Sequence, residues 1–108
     1  MKQYTVNIVE EAEHDLYEIY QYVLVKEGES RANKLLVGLE KSCLSLCKLP
    51  NRGHTLPELD IYGLCDFLEI HFKPYRIIYQ IQATSLFIHA VLDGRRDLSD
   101  ILQGRLFR

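Results

Sequence analysis

The chain contains 108 residues, of which 47 % are hydrophobic, and carries a formal net charge of −2. This length and composition favour a single folded domain over residues 1–108 and exclude a disordered chain. The slight acidic excess disfavours a protein that coats nucleic acid, because such a protein needs a positive surface. The sequence has no apolar run long enough to span a membrane, and its first residues lack the apolar stretch of a signal peptide. We therefore expect a cytoplasmic protein without membrane contact.

The first two predicted elements are a strand and a helix. Residues 4–9 alternate and are rich in β-branched and aromatic side chains, which favours a β-strand. From Glu11 onward the apolar residues follow the period of a helix, with Ala12 and Val23 near the two ends of the stripe. Gly28 is the expected end of this helix, because glycine adopts a left-handed C-cap at little cost.

A second helix is predicted directly after the first. Ser30 is the expected N-cap, and an apolar stripe runs from Ala32 to Leu49. Pro50 should end this helix, because the residue before a proline is pushed out of helical geometry. Since only a few residues join the two helices, we expect them to lie antiparallel as a hairpin.

The remainder of the chain predicts strands and a short final helix. Residues 51–63 contain glycine and proline without periodicity, so we expect a loop. Three apolar runs follow at residues 67–72, 76–82 and 86–92, and the short gaps between them favour an antiparallel meander. A final helix is expected to start at Asp97 and to pack back on the body.

The order of the predicted elements indicates an α+β fold. An N-terminal strand, an antiparallel helical hairpin, a three-stranded antiparallel meander and a short C-terminal helix give a layer of helices on one sheet. The hairpin should cover one face of this sheet. The other face is then left largely open, and we expect the functional site there.

Five segments carry patterns that occur together in one known family. They are residues 12–22 in the first helix, 49–59 in the loop, 75–79 (Tyr-Arg-Ile-Ile-Tyr), 93–97 (Asp-Gly-Arg-Arg-Asp) and 102–106 near the end. In this order and spacing they resemble the RelE/ParE family of toxins, and the resemblance covers nearly the whole chain. It implies a β-α-α-β-β-β-α fold and the toxin component of a type II toxin–antitoxin system, of the kind that stabilises plasmids.

The resemblance implies two different activities. ParE-like members inhibit DNA gyrase by binding, whereas RelE-like members are metal-independent ribonucleases that enter the ribosome and cut messenger RNA. Both kinds are neutralised by a cognate antitoxin that wraps the toxin. We therefore expect a toxin–antitoxin hetero-oligomer, with a homodimer as the other assembly considered. The fold alone does not choose between the activities.

Arg76, Glu69 and His71 are the residues that a nuclease would use. The resemblance places Arg76 against the scissile phosphate, where a guanidinium fork suits the ligand better than an ammonium. Glu69 and His71 lie two apart on a strand and share a face, so they would supply general acid and base groups. A structural interpretation competes with this one. Polar residues are normal on the solvent side of a strand, and Arg76 would then fix a loop or pair with Glu69.

Departures from the ribonuclease pattern favour the ParE-like activity. Many ribonuclease members carry basic residues on the second strand, where this chain has Glu69 and His71, and no tyrosine or histidine follows His89. The acidic net charge also suits a polyanionic ribosome poorly. We therefore predict a gyrase inhibitor without catalysis of its own. The alternatives are a ribonuclease and a degenerate homologue that has lost toxicity.

Arginines are the candidate residues for binding the target or the antitoxin. They are Arg76, Arg95, Arg96 and Arg105. Arg95 and Arg96 follow the last strand, where they can contact phosphate or an acidic antitoxin segment. In the competing interpretation, they pair with Asp93, Asp97 and Asp100 and brace the tail.

Neither a cofactor nor a metal ion is expected. Cys43 and Cys47 share one face of the second helix, and with Cys65 and a histidine they would make a zinc site. The close paired spacings typical of zinc sites are missing, so we expect small, reduced core residues instead. His89 lies among apolar residues and is expected to be structural. His54 is expected to be a surface or loop residue with no catalytic or ligand-binding role.

Overall fold

A five-stranded mixed sheet organises the chain. The computed structural model describes residues 3–63 and 66–107. The strands are β1 (Thr5–Ile8), β2 (His54–Thr55), β3 (Phe67–Phe72), β4 (Tyr75–Gln82) and β5 (Ser85–Asp93). They lie in the order β1-β5-β4-β3-β2, with β1 parallel to β5 and the other neighbours antiparallel. The predicted meander is confirmed and forms the centre of this sheet.

The predicted helical hairpin is also confirmed. It consists of α1 (Glu10–Glu27) and α2 (Glu29–Ser45), separated by Gly28 alone. Gly28 has a φ of 95°, a conformation that costs glycine little, and its N–H donates to the carbonyl of Leu24 at 3.1 Å. This one residue therefore ends the first helix and reverses the chain into the second.

Two predicted boundaries of the second helix are wrong. Ser30 is not its N-cap, because α2 already includes the residue before it and no side chain caps the helix. The helix ends at Ser45 rather than at Leu49, and a turn occupies residues 46–48. In that turn the carbonyl of Cys47 accepts a hydrogen bond from the backbone N–H of Tyr4 at 2.9 Å, so tertiary pairing of the chain replaces the last helical turn.

One hydrophobic core lies between the helical hairpin and the sheet. Its buried members include Leu16, Leu39, Leu46, Ile77, Tyr79 and Ile88. A bulge at the step from Ile78 to Tyr79 shifts the register with β5. As a result Ile88 faces the hairpin whereas Ala90 belongs to the core on the opposite face.

The opposite face of the sheet is partly covered, so the prediction of a largely open face is wrong there. The predicted loop at residues 51–63 contains β2 and a short helix, α3 (Pro57–Asp60), and the chain ends with α4 (Ser99–Leu106). Both helices pack on a second core made of Leu56, Leu59, Ile78, Ala90, Leu98 and Leu102. No helix in the described ranges is long and apolar enough to cross a membrane.

Tyr79 holds the segment that leads into β2. Its ring is fully buried, and its hydroxyl donates to the carbonyl of Pro50 at 2.7 Å and accepts from the N–H of Gly53 at 3.0 Å. A Cβ at Gly53 would lie 2.5 Å from that hydroxyl and 2.7 Å from the backbone carbonyl of Glu69. Only glycine therefore fits this close approach of residue 53 to Tyr79 and β3. The contact fixes where His54 enters the sheet.

We expect Tyr79→Phe to lower the free energy of unfolding by about 1–3 kcal/mol, because a buried carbonyl and a buried N–H lose their partner. Urea denaturation measures the change. Tyr17→Phe is the matched control, since the side chain of Tyr17 is 60 % exposed. Equal stability of the two variants would contradict the role given to the hydroxyl.

Arg105 ties the last helix to the rest of the fold. Its Nη1 and Nη2 donate to Oδ1 and Oδ2 of Asp15 on α1 at 3.2 and 3.0 Å, and Nη2 also donates to the carbonyl of His89 at 2.7 Å. Asp15 Oδ2 in turn accepts the N–H of Val91 at 3.0 Å. Both side chains are largely buried, so one ion pair joins α1, β5 and α4.

Arg105→Ala should destabilise the protein by about 3 kcal/mol, because it leaves a nearly buried carboxylate without its partner. Thermal or urea unfolding tests this. Arg95→Ala is a matched control, because Arg95 also pairs with an aspartate but is 69 % exposed, and it should leave the stability unchanged. Similar losses in both variants would show that burial does not distinguish the two pairs.

Candidate functional site

Arg76 lies between two carboxylates at one end of the sheet. Its Nη1 and Nη2 donate to Oε2 and Oε1 of Glu58 at 2.6 and 2.8 Å. Its Nε and Nη2 donate to Oε1 and Oε2 of Glu69 at 2.6 and 3.0 Å. Both pairs are bidentate, which is the strongest geometry for a guanidinium and a carboxylate.

Three different elements bring these side chains together. Glu69 and Arg76 lie on the neighbouring strands β3 and β4, whereas Glu58 lies in the first turn of α3. Pro57 stands at the start of α3, where its fixed φ suits the first helical position. Leu59 is buried in the second core and so anchors α3 over the sheet. The helix thereby places the carboxylate of Glu58 above Arg76.

The pairing of Arg76 with Glu69 was one of the two predicted interpretations, and the structure confirms it. The predicted exposure of Glu69 is wrong, because only 1 % of its side chain is accessible. Glu58 was missed as a partner. The only signal in the sequence was the Pro57-Glu58 pair, which is typical of a helix start and was interpreted as part of a loop.

Two histidines complete the cluster. His71 Nε2 lies 3.1 Å from Glu69 Oε1, and His54 Nδ1 lies 3.9 Å from Glu69 Oε2. The two imidazole rings meet edge to face with centroids 5.3 Å apart. His54 is positioned by β2, which pairs it with Glu69 across the strands. The sequence prediction missed His54, because a strand of two residues shows no periodicity.

One guanidinium serves two carboxylates in this cluster. Hydrogen bonds from Arg76 lower the pKa of Glu58, and the hydrogen bonds to Glu58 and then to Glu69 raise the pKa of Arg76. Glu58 and Arg76 therefore carry charge at neutral pH. Two further cations, Lys73 and Arg95, line the same cavity as these side chains.

The chemistry open to Arg76 is limited by its partners. Its side chain is 14 % exposed, and its four hydrogen bonds to carboxylates use all but one of the guanidinium N–H groups. A phosphate would have to displace a bidentate carboxylate of Glu58 or Glu69. In this arrangement Arg76 stabilises the fold and is not presented as an anion receptor.

The other candidate arginines differ in their surroundings. Arg95 is exposed and donates from Nη2 to Oδ2 of Asp93 at 2.7 Å, a contact that lowers the pKa of Asp93. Arg96 is exposed beside it. Arg105 is engaged with α1 and β5 as described above. Asp97, a predicted arginine partner, instead accepts the backbone N–H of Ser99 through Oδ1 at 3.1 Å and so lies at the start of α4.

His89 and Cys43 have structural positions. His89 Nε2 lies 3.2 Å from Gln80 Oε1, and burial followed by the charge of Arg105 lowers the pKa of His89, as fits a neutral structural histidine. Cys43 is fully buried in the core as predicted, and burial raises the pKa of its thiol to about 12. A thiol so reluctant to ionise is a poor metal ligand. Cys65 lies outside the described residues.

The fold is similar to those of solved toxin structures. The chromosomal ParDE toxin–antitoxin system from P. aeruginosa matches with a TM-score of 0.72 at 16 % identity, over 86 % of this chain and 98 % of that chain. The toxin–antitoxin complex RelBE2 from Mycobacterium tuberculosis matches with a TM-score of 0.63 at 23 % identity, over 86 % of this chain and 93 % of that chain. The E. coli toxin RelE in the free state, with two arginines replaced by alanine, matches with a TM-score of 0.58 at 19 % identity, over 98 % of this chain and 97 % of that chain. At these identities the matches establish the fold alone.

The sequence itself identifies the family. Comparison with curated proteins finds no match. The model of the ParE toxin of the type II toxin–antitoxin system parDE, however, matches residues 6–98. That range includes the helical hairpin, the whole meander and the Glu58–Arg76–Glu69 cluster. The chain therefore belongs to the ParE toxin family and is a ParE-type toxin of a toxin–antitoxin system.

Proposed function

We propose that this toxin inhibits DNA gyrase by binding to it, without catalysing a reaction, and that a cognate antitoxin neutralises it. The observation that carries the proposal is the enclosure of Arg76 by Glu58 and Glu69. The arginine that a ribonuclease of this fold would offer to a phosphate is here committed to two carboxylates. Binding to a protein target needs no such phosphate site.

Electrostatics and composition support the same choice. A phosphodiester at Arg76 would lie against the carboxylates of Glu58 and Glu69, and little solvent reaches Arg76 to screen that repulsion. After His89 the sequence has no histidine or tyrosine to protonate a leaving group. A nuclease site at Arg76 would therefore lack a general acid from the C-terminal segment, and its arginine would first have to leave two carboxylates.

Exposed cations offer a surface for the antitoxin or the target. Arg95 and Arg96 are exposed at the turn after β5, where they can make charge-assisted hydrogen bonds to a partner's carboxylates. The ParDE system of P. aeruginosa and RelBE2 of M. tuberculosis are toxin–antitoxin assemblies of the same fold. A hetero-oligomer with an antitoxin is therefore the assembly that we propose for this chain.

The test is a DNA supercoiling assay with purified gyrase and the purified chain. We expect inhibition that disappears when the antitoxin is added. The double variant Arg95→Glu/Arg96→Glu should weaken inhibition at least about tenfold, because reversed charges repel a complementary surface. Lys41→Glu/Lys48→Glu is the matched control, since it makes the same charge change at exposed residues elsewhere and should leave inhibition unchanged.

One observation favours a second candidate, a ribosome-dependent ribonuclease. Glu69, His71 and Arg76 do converge, and they line a cavity of about 420 Å³ that also includes Lys73. This function predicts cleaved messenger RNA on ribosomes with the wild-type chain and loss of cleavage in His71→Ala. Gyrase inhibition that persists in His71→Ala would favour the first proposal.

A chain that is folded and antitoxin-free, yet neither inhibits gyrase nor cleaves messenger RNA, would contradict both functions. It would identify a homologue that has kept the fold without toxicity.

A further inference from the structure

His54, Glu69 and His71 form a compact cluster beside Arg76. One ligand atom from each of the three residues lies within 4.8 Å of the others. The carboxylate is 1 % exposed, whereas the two imidazoles are 62 % and 45 % exposed. A buried carboxylate is thus flanked by two imidazoles that reach solvent.

Glu69 shares its guanidinium partner with a second carboxylate. Arg76 is shared with Glu58, so one guanidinium faces two carboxylates. A buried carboxylate with incomplete compensation is costly unless a further positive group lies beside it. Besides Arg76, the described ion-pair partners of Glu69 are His54 and His71, so a cation would lie between these two rings.

Glu69 has the capacity to bind that cation while it holds Arg76. Each carboxylate oxygen offers about two lone-pair positions, and Arg76 occupies one on each oxygen. Arg76 then fixes the orientation of the carboxylate. This is the role that outer hydrogen-bond partners play at metal centres, where they orient the ligand and tune its affinity.

The spacing of the donors suits a small transition-metal ion. Bonds of about 2.0–2.2 Å to nitrogen and oxygen in a tetrahedral site separate neighbouring donors by about 3.3 Å. His71 and Glu69 already lie 3.1 Å apart, and His54 is 3.9 Å from the same carboxylate. His54 now also approaches the carbonyl of Thr55 at 3.0 Å, and a small rotation of its exposed ring would turn it towards the ion.

We propose that His54, Glu69 and His71 bind one divalent transition-metal ion of the zinc type, with a further coordination position open to the adjacent cavity. Two imidazoles and one carboxylate favour Zn²⁺, Ni²⁺ or Cu²⁺ over Mg²⁺ and Ca²⁺, which prefer oxygen donors. This departs from the expectation of no metal, and it does not involve the cysteines. The ion would link β2 to β3 and so stabilise the folded chain.

The test is a titration of the full chain with Zn²⁺, followed by calorimetry and by the imidazole ¹⁵N resonances. We expect one ion per chain and shifts at His54 and His71, with His14 and His89 unaffected. His71→Ala and His54→Ala should each weaken binding at least about tenfold, because loss of even an outer partner costs a metal site that much. His14→Ala is the matched control, since His14 is exposed and contacts Glu18 on α1.

Two results would overturn the proposal. One is binding that leaves the His54 and His71 resonances unchanged, and the other is equal affinity in His71→Ala and His14→Ala. Because both histidines are exposed, neither substitution is expected to unfold the chain. The titration does not depend on gyrase inhibition, so a failure of either proposal leaves the other intact.

Discussion

The ion-pair network of Arg76 with Glu58 and Glu69 is the constraint on which one end of the molecule depends. It joins α3 to β3 and β4 through bidentate contacts on both sides of one guanidinium. A nearly buried charge is tolerated only while its partners remain in place. The position of α3 and the burial of Glu69 therefore follow from one another, and with them the shape of the cavity that His54 and His71 border.

The same network accounts for what this site is suited to do. A guanidinium that is shared by two carboxylates has little capacity left for a phosphate, which supports a toxin that acts by binding. The carboxylate that is compensated only in part can still attract a cation, which supports a metal site at the histidines. Both proposals thus start from the sharing of Arg76 by two carboxylates, although each concerns a different partner and has its own test.

The sequence predicted the fold well because its signals are local. These signals involve only residues that are close together in the chain. They are the helical period of α1 and α2, the glycine at residue 28 and the alternation of the strands. The predicted structural role of His89 and the burial of Cys43 were confirmed for the same reason, since His89 lies between apolar residues of its strand and Cys43 continues the apolar stripe of Leu39 and Leu46. Family resemblance added the order of the elements, and the match to the ParE toxin family over residues 6–98 confirms it.

The candidate site was predicted only in part, because its geometry is non-local. Arg76 and Glu69 were paired correctly, but Glu58 and His54 approach from a segment that appeared to be a loop. A strand of two residues and a helix of four are too short to show periodicity, and only the packing of Leu59 and the pairing of β2 reveal them. The extent of the open sheet face was overestimated for the same reason, because the short elements that cover part of it were not predicted.

The guanidinium of Arg76 is committed to the protein's own carboxylates. The most direct test follows the Nε–H resonance of Arg76 by NMR while a short single-stranded RNA is added. We predict a slowly exchanging resonance that does not shift, because Nε donates to Glu69 at 2.6 Å in a nearly buried site. A saturable shift of this resonance on addition of RNA would show that phosphate displaces a carboxylate. Arg76 would then not be committed to Glu58 and Glu69.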